Sequence, residues 1–490
     1  MARYNSGKGP IRNPYDPSSY WRNAKDISDS KRESIAKSIR LANGNEELRP
    51  GKYRKSPFPY IVALGLLFVS FIVVGIILYG QKPEVKSYTL SFVTEGGTDI
   101  EPLEFDFGTR IILPENPHKE GYIFAGWYKD SLYDELISSS FLNQFDLETD
   151  LVFYAKWVPS DLEVTITFDS QGGSVLPPQT IPFGTNISSY IPTKNNLYFG
   201  GWFLDTTYQQ SVSTAPENSM TVYAFWDVFP MQPVGNLHQI YQVPLGVDEN
   251  VKNIDGGFWV AENETTYTLW HEVRTWAFAH GYEFLKAGTN GMATLPGSIP
   301  RTDLILPVTT ITWTDTIIWL NALSEMRGLD PVYRVSYLDD QVVKTPNDSQ
   351  SPAARPYNGY SLLTSSEWEM AARWTNETEI NDEITFAGGR YWTKGHLLSG
   401  MGTSELTEMT DYAWYRTNSL QVLHPIREKL PNSLGLYDMS GNVSEWVSRG
   451  YHQGGNYSDE RSISAVAYVY EHTAEHTIGF RIARKPVNLR

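Results

Sequence analysis

The stretch PNSLGLYDMSGNVSEW, residues 431–446, decides how the C-terminal half of this chain is interpreted. It carries two carboxylates, Asp438 and Glu445, with Ser440-Gly441-Asn442 between them. Because glycine and asparagine tolerate positive φ, the segment predicts a turn whose backbone carbonyls face inward beside the acids. Such an all-oxygen set suits a hard cation, Ca²⁺ before Mg²⁺. The alternative is that both acids are solvated and the segment only supplies core residues: Leu436, Met439, Val443 and Trp446.

Four further motifs accompany this stretch, in the order in which one known family has them. They are PVTTITWTDTIIWLNALSEMRGLDPVYR (307–334), GYSLLTSSEWEMAARW (359–374), HQGGNYSDERS (452–462) and IGFRIAR (478–484). With GLYDMSGNVSEW they resemble the formylglycine-generating enzyme, or sulfatase-modifying factor, family, a variant of the C-type-lectin fold. The resemblance covers residues 238–490 and implies an α+β domain. It also implies a structural calcium site made by the side chains of Asp438 and Glu445 and the carbonyls of Gly441 and Val443.

The chain departs from that family at its copper centre. Copper-dependent members carry two cysteines just after the Gly-Gly step, at places that fall near Asp459 and Ser464 here. The chain has no cysteine at all, so it offers no thiolate for Cu(I) and forms no disulfide. We therefore expect no copper and no copper-dependent formylglycine generation.

The N-terminal part predicts a membrane anchor. Residues 1–57 carry 13 Lys and Arg against 6 Asp and Glu, and we expect a disordered cytoplasmic tail there. Phe58–Gly80 is a run of 23 residues without a charge, long enough to cross the ~30 Å of bilayer hydrocarbon. Basic residues crowd its N-terminal side, so the positive-inside rule places the tail in the cytoplasm and everything after Gly80 outside.

Two similar units follow the span, at residues 88–158 and 164–227. Both contain a strand-like segment before Gly-Gly, then Phe-Gly-Thr, Gly-Trp and a closing Tyr-Ala-x-Trp. Alternating apolar residues bounded by glycines predict strands and turns, and a period of about 70 residues marks a domain repeat. The units resemble the Listeria–Bacteroides repeat of internalin-type bacterial surface proteins, a small β-grasp-like module. The resemblance implies a spacer or adhesive stalk.

The fold class that follows is α+β, in a membrane-anchored multidomain chain with two repeats and a C-terminal lectin-like domain. The acidic remainder of the chain, with 27 Lys and Arg against 50 Asp and Glu, disfavours nucleic acid as a partner because phosphate would be repelled. We predict a cell-surface recognition or adhesion protein that binds a glycan, peptide or protein outside the cell. The candidate ligand-binding residues lie in two C-terminal loops: Tyr451, Tyr457, Arg461, Tyr470, His472 and His476.

Two enzymatic alternatives remain open at this stage. The wider sulfatase-modifying factor family includes iron-dependent oxidases, although these usually carry their iron histidines on a separate helical domain. His472-Thr473-Ala474-Glu475-His476 also fits the H-x-x-E-H zinc pattern. That chemistry needs both histidines on one helix and a third ligand well downstream. Few residues follow His476, so a polar surface loop is the favoured interpretation.

Overall fold

The structure, a computed structural model, describes residues 86–485 apart from short internal gaps. The gaps are 145–146, 209, 237–238, 292–294, 302–304, 378–383, 403–404, 461–464 and 472–474. The predicted cytoplasmic tail (1–57) and membrane span (58–80) lie outside the described residues. Within the described part, none of the helices has the length and apolar character needed to cross a membrane.

Each of the two repeats forms a small mixed sheet. The first has strand order β2-β1-β4-β3 and the second β6-β5-β9-β7-β8, with β1 parallel to β4 and β5 parallel to β9. The elements are β1 (Ser87–Val93), β2 (Leu103–Asp106), β3 (Tyr122–Tyr128), α1 (Ser139–Leu142), β4 (Leu151–Pro159), β5 (Glu163–Asp169), β6 (Gln179–Pro182), β7 (Tyr198–Phe203), β8 (Ser211–Val212) and β9 (Met220–Asp227). The shared topology confirms the internal repeat.

The Gly-Gly signature of the repeats has a steric reason. The indole nitrogen of Trp157 donates to the Thr94 carbonyl at 2.7 Å, which brings the ring against the turn. A Cβ on Gly97 would lie 2.5 Å from that ring, closer than real Cβ contacts come. Trp226 meets Gly173 in the same way, at 2.4 Å from the position of a Cβ. Glycine and the closing tryptophan of each unit are therefore required together.

The C-terminal domain includes β10 (Met231–Val234), which follows the second repeat and pairs with β13 (Phe258–Ala261). Its main sheets have the orders β10-β13-β23-β16 and β21-β20-β19-β22. The remaining strands are β11 (Ile240–Leu245), β12 (Asn250–Asp255), β13 (Phe258–Ala261), β14 (Tyr333–Arg334), β15 (Ala353–Ala354), β16 (Tyr360–Ser361), β17 (Ile384–Ala387), β18 (Arg390–Thr393), β19 (Ser444–Trp446), β20 (Tyr451–Gln453), β21 (Val469–Glu471), β22 (Ile478–Phe480) and β23 (Ala483–Arg484).

Three helices of this domain each begin after a threonine whose side chain caps the first turn. α2 (Tyr267–Phe278) and α3 (Trp313–Met326) stack Trp270 on Trp319 at 5.6 Å, and Phe480 packs edge-on against both rings. α4 (Ser365–Arg373) starts at a capping box made by Thr364 and Glu367. A short α5 (Leu406–Tyr412) follows. The domain is therefore α+β with a predominance of strands, in agreement with the predicted fold class.

Both repeats pack against the C-terminal domain. The first contacts the β11–β12 hairpin, where the Asn253 amide donates to the Ile111 carbonyl at 2.8 Å and the Ser139 hydroxyl donates to Asp255 at 2.7 Å. The second contributes Phe203 and Phe225 to the apolar cluster that holds Trp259. Each repeat therefore shares polar contacts or core residues with the C-terminal domain.

Candidate metal-binding and ligand-binding site

The turn between the two predicted metal ligands forms as the sequence indicates. Asp438, Gly441 and Asn442 all have positive φ, at 55°, 79° and 52°. A Cβ on Gly441 would lie 2.2 Å from the carbonyl oxygen of Trp414, so only glycine fits there. The turn buries both acids, since Asp438 is 2% exposed and Glu445 is 1% exposed. The alternative in which these acids are solvated is therefore wrong.

Glu445 forms hydrogen bonds with residues from two other sequence motifs, which are distant from it in the chain. Its Oε1 accepts a hydrogen bond of 2.7 Å from the guanidinium of Arg481, and its Oε2 accepts one of 2.7 Å from the indole of Trp368. Trp368 lies on α4 and Arg481 follows β22, and both side chains are buried. Both oxygens of Glu445 are thus occupied by donors of the chain itself.

Glu264, a third buried carboxylate that we did not predict, joins the turn from the segment before α2. Its Oε1 accepts from the backbone nitrogen of Val443 at 3.0 Å, and its Oε2 accepts from the Asn442 amide at 2.7 Å. Burial raises the pKa of Glu264 well above its usual range, and the nearby charges of Asp438 and Glu445 raise it further. No local sequence signal marks Glu264, because its partners are distant in the chain.

Asp438 is the acid with an available oxygen. Its Oδ2 accepts from the backbone nitrogen of Arg427 at 2.8 Å, whereas Oδ1 is buried and has no hydrogen-bond partner among the described residues. Burial raises the pKa of Asp438 to about 6, the Arg427 amide and Arg481 oppose the rise, and Glu445 adds to it. Three carboxylates therefore share a buried site with the guanidinium of Arg481.

The predicted calcium ligands fit this geometry in part. Asp438 offers a free oxygen, and every nearby acceptor is a hard oxygen atom of the kind that calcium prefers. Glu445 does not offer one, because Arg481 and Trp368 hold its two oxygens. In the described part of the chain, no group of three or more His, Cys, Asp or Glu side chains converges as a metal site. An ion at this turn would thus depend on Asp438 and backbone carbonyls.

The two predicted ligand-binding loops meet at one sheet. β20 and β21 are antiparallel neighbours, with Tyr451 opposite Glu471 and His452 opposite Tyr470. Tyr451 is half-buried against the domain core, and His476 is exposed in a short 3-10 helix (Glu475–Thr477).

Tyr457 lies in the core and not on the surface, where the binding hypothesis needs it. It is 9% exposed and belongs to an apolar cluster with Leu306, Leu423 and Val443, so its ring packs in the core. An aromatic residue in a loop near a Gly-Gly step can lie either on a binding surface or in the core. The local sequence does not distinguish these two positions. Two other candidates of the binding hypothesis, Arg461 and His472, lie outside the described residues.

Asp459, which lies near the first of the two positions where copper-dependent family members carry a cysteine, has a structural role. The carboxylate of Asp459 accepts from the backbone and the side-chain nitrogens of Asn456, at 3.1 Å and 2.5 Å. Burial raises the pKa of Asp459, and the bonds from Asn456 oppose that rise. Asp459 therefore closes a turn. The second position, Ser464, lies outside the described residues.

Residues 248–486 match the family described as the sulfatase-modifying factor enzyme 1-like domain. This segment is a domain of the sulfatase-modifying factor family. Residues 88–156 and 165–225 each match the Listeria-Bacteroides repeat domain. Both predicted family assignments are thereby confirmed.

Two proteins from Evansella cellulosilytica are similar to parts of this chain. One, named as a Gly-rich membrane protein, is 32% identical over 160 residues, which are 31% of this chain and 17% of the relative. The other, named as a membrane protein, is 31% identical over 222 residues, which are 42% of this chain and 32% of the relative. The chain thus spans at most about a third of either relative. The crystal structure of CarF is 29% identical, with a TM-score of 0.40, and the alignment covers 53% of this chain and 97% of CarF.

Proposed function

We propose that the protein is a cell-surface recognition protein whose sulfatase-modifying factor domain binds a ligand and does not carry out copper-dependent oxidation. The observation that carries the proposal is the residue found where copper-dependent family members have their first copper-binding cysteine. Asp459 stands near the first cysteine position and is bound into a turn by Asn456, and the whole chain has no cysteine. A carboxylate bound in this way is a poor ligand for Cu(I), which prefers thiolates.

The location proposed for this domain is the outer face of a cell membrane. Phe58–Gly80 would cross the bilayer once, with residues 1–57 in the cytoplasm. The uncharged length of that segment and the excess of basic residues before it support this arrangement. Two relatives from Evansella cellulosilytica carry names that place them in a membrane, which is consistent with it.

The proposed binding surface is the edge formed by β20, β21 and the loops that follow them. Pairing of the consecutive strands β20 and β21 brings the two predicted loops together there. Tyr451, Tyr470 and His476 are the candidates that remain at this edge, and a glycan, peptide or protein is the expected ligand. Aromatic and polar side chains on neighbouring loops are typical of recognition surfaces.

Calcium is the proposed structural ion of the domain. Asp438, with the carbonyls of Gly441 and Val443, would hold it, and Glu445 would contribute only by sharing an oxygen with Arg481. The ion would bring positive charge to a buried group of three carboxylates. Its expected role is to stabilise the turn before β19, so it would act on stability and not on chemistry.

A binding screen with the full-length protein in detergent tests the proposed function. Glycan, peptide and surface-protein arrays are expected to yield a ligand whose binding falls after Tyr451→Ala. Tyr337→Ala is the matched control, because Tyr337 is 74% exposed in a loop away from β20 and β21. Equal loss of binding with both variants would contradict the proposed surface.

An activity assay separates this function from its rival, a metal-dependent oxidase. The protein, loaded in turn with copper and iron, is incubated aerobically with a cysteine-containing sulfatase peptide. We expect no formylglycine and no consumption of oxygen above the metal-only control. Turnover that is lost on mutating a histidine such as His424 would overturn the proposal.

A further inference from the structure

A cavity of about 410 Å³ lies between the second repeat and the C-terminal domain, outside the recognition surface proposed above. Its walls come from three places: the repeat, the segment around β10 and β11, and the β17–β18 hairpin with Trp374, the residue that follows α4. The lining residues that matter below are Ser188, Ser213, Gln239, Tyr241, Trp374 and Arg390. Its volume falls in the range of small-molecule sites, roughly 300–1,000 Å³. The cavity exists only because the repeat is packed against the domain.

Arg390 supplies a fixed positive charge to this cavity. Its guanidinium lies 3.7 Å from the ring centre of Trp374 and 5.3 Å from that of Trp392, and one terminal nitrogen donates to the Thr375 carbonyl at 2.6 Å. Stacking and that bond hold the planar group in one orientation. Its Nε is buried without a hydrogen-bond partner in the described part of the chain, where no carboxylate pairs with it either.

The remaining polar lining is neutral. The hydroxyl of Ser213 is buried and, among the residues that the structure describes, has no hydrogen-bond partner. Gln239 accepts from the Tyr241 hydroxyl at 2.8 Å, so its side chain is held in place. The described lining residues include no carboxylate. One oriented guanidinium and several neutral polar groups therefore face a space that holds no compensating negative charge from the chain.

We propose that this cavity binds an acidic sugar through its carboxylate. A guanidinium attracts a carboxylate through its charge and donates charge-assisted hydrogen bonds to it, which a neutral group cannot replace. The neutral polar residues of the lining, Ser188 and Gln239 among them, suit the ring hydroxyls of a sugar. The cavity is too small for a folded partner or a helix, and its volume of about 410 Å³ suits a mono- or disaccharide unit of hexuronic acid.

Direct binding to the full-length protein in detergent tests the proposal. Glucuronate and galacturonate are titrated by calorimetry, and the intrinsic fluorescence of the protein gives a second signal because Trp374 lines the cavity. Glucose and galactose measure the contribution of the carboxylate, and inorganic sulfate and phosphate test for a simple anion site. We expect the uronates to bind about tenfold or more tightly than the neutral sugars, since a charge-assisted bond is lost with the latter.

The variants make the site assignment specific. Arg390→Lys keeps the charge but loses the planar fork, so uronate affinity is expected to fall about tenfold. Ser188→Trp fills the cavity without touching Arg390 and is expected to abolish binding. Arg274→Gln is the matched control, because Arg274 also stacks on an aromatic ring, Phe278 at 4.5 Å, but does not line the cavity.

Three outcomes would overturn the proposal: no uronate binding by the folded protein, equal binding of sulfate and uronate, or unchanged affinity in Ser188→Trp. The thermal unfolding of each variant is measured alongside to show that it folds. This site is independent of the proposed recognition surface. Tyr451→Ala is therefore expected to leave uronate binding unchanged, and the two proposals can fail separately.

Discussion

The hydroxyl of Tyr360 donates a hydrogen bond of 2.6 Å to the carboxylate of Asp227, and both side chains are fully buried. Asp227 ends the last strand of the second repeat, and Tyr360 begins β16 of the sulfatase-modifying factor domain. Beside them the buried guanidinium of Arg484 lies over Phe225 at 4.1 Å. The repeat and the domain are thus joined by a polar contact inside a shared core, and their stabilities should be coupled.

Removing the hydroxyl from this contact is expected to destabilise the protein as a whole. Tyr360→Phe leaves a buried carboxylate without one of its donors, a loss of about 1.5–3 kcal/mol for a hydrogen bond to a charged group. Urea unfolding of the full-length protein measures the change in the free energy of unfolding. Tyr357→Phe is the control, because the Tyr357 hydroxyl makes a similar bond to Asp340 at the surface. Equal effects of the two variants would show that burial of the contact does not matter.

The pH dependence of stability should also depend on Asp227. Burial raises the pKa of Asp227, and the bond from Tyr360 and the charge of Arg327 oppose that rise. A carboxyl whose pKa is raised on folding binds more protons in the folded state, so the free energy of unfolding falls as pH rises through that pKa. Asp227→Asn removes this pH-dependent contribution to the free energy of unfolding. The variant should therefore gain stability relative to the wild type as pH rises above the ordinary carboxyl pKa of about 4, measured by urea unfolding.

A control variant separates this effect from the general titration of surface acids. Glu460→Gln removes a carboxylate that pairs with Arg416 at the surface. It is expected to follow the pH profile of the wild type. If Asp227→Asn follows that same profile, the Asp227 carboxyl is not responsible for the pH dependence.

The buried ion pair of Glu445 and Arg481 is expected to be indispensable. Their atoms lie 2.7 Å apart and both side chains are 1% exposed, so either partner left alone is an uncompensated charge in the core. Arg481→Met should cost about 3–5 kcal/mol of stability. In the exposed pair, Arg416→Gln should cost about 0–1 kcal/mol. Chemical denaturation of both variants checks the contrast, and similar losses would contradict it.

The parts of the fold that sequence could predict are those set by local rules. The capping box of Thr364 and Glu367 marks the start of α4, and the glycine in Ser440-Gly441-Asn442 marks the turn that buries Asp438. The two repeats are visible because each has its own glycines and closing tryptophan. In these cases the residues that determine the structure are neighbours in the chain, or recur at a fixed spacing.

The rest depends on contacts between distant segments. Glu264 reaches the turn from 178 residues away through Asn442, and no pattern around it shows that it will be buried. Arg481 is a charged residue within the largely apolar motif IGFRIAR, which indicates that it needs a carboxylate partner. The pairing of β19 with β22 determines that this partner is Glu445. The packing of the repeats on the domain likewise depends on surfaces that each unit forms only after folding.

The proposed topology makes a direct prediction for intact cells. Because Phe58–Gly80 is the proposed span, a protease added outside should degrade the repeats and the sulfatase-modifying factor domain and should spare residues 1–57. Tags at the two termini, followed by immunoblotting, report each side separately. Permeabilised cells are the control, in which both tags should be lost. Protection of the C-terminal tag in intact cells would reverse the orientation.

Calcium should stabilise the protein if Asp438 and the carbonyls of Gly441 and Val443 hold it. An ion that binds only the folded state raises the free energy of unfolding by about 2.7 kcal/mol at a hundredfold excess over its Kd. Chelation should therefore lower the melting temperature, because the buried carboxylates around Asp438 then lose the positive charge of the ion. Thermal unfolding of the full-length protein with calcium or with chelator measures the difference.

Variants of the same cluster decide which group responds to calcium. Asp438→Asn should abolish the difference between calcium and chelator, because it removes the carboxylate with the free oxygen. Glu367→Gln should retain the difference, since Glu367 caps α4 and pairs with Lys485 at 2.6 Å, outside the cluster. Identical unfolding curves with calcium and with chelator in the wild type would show that Arg481 and bound protons alone balance the three acids. The turn would then need no ion.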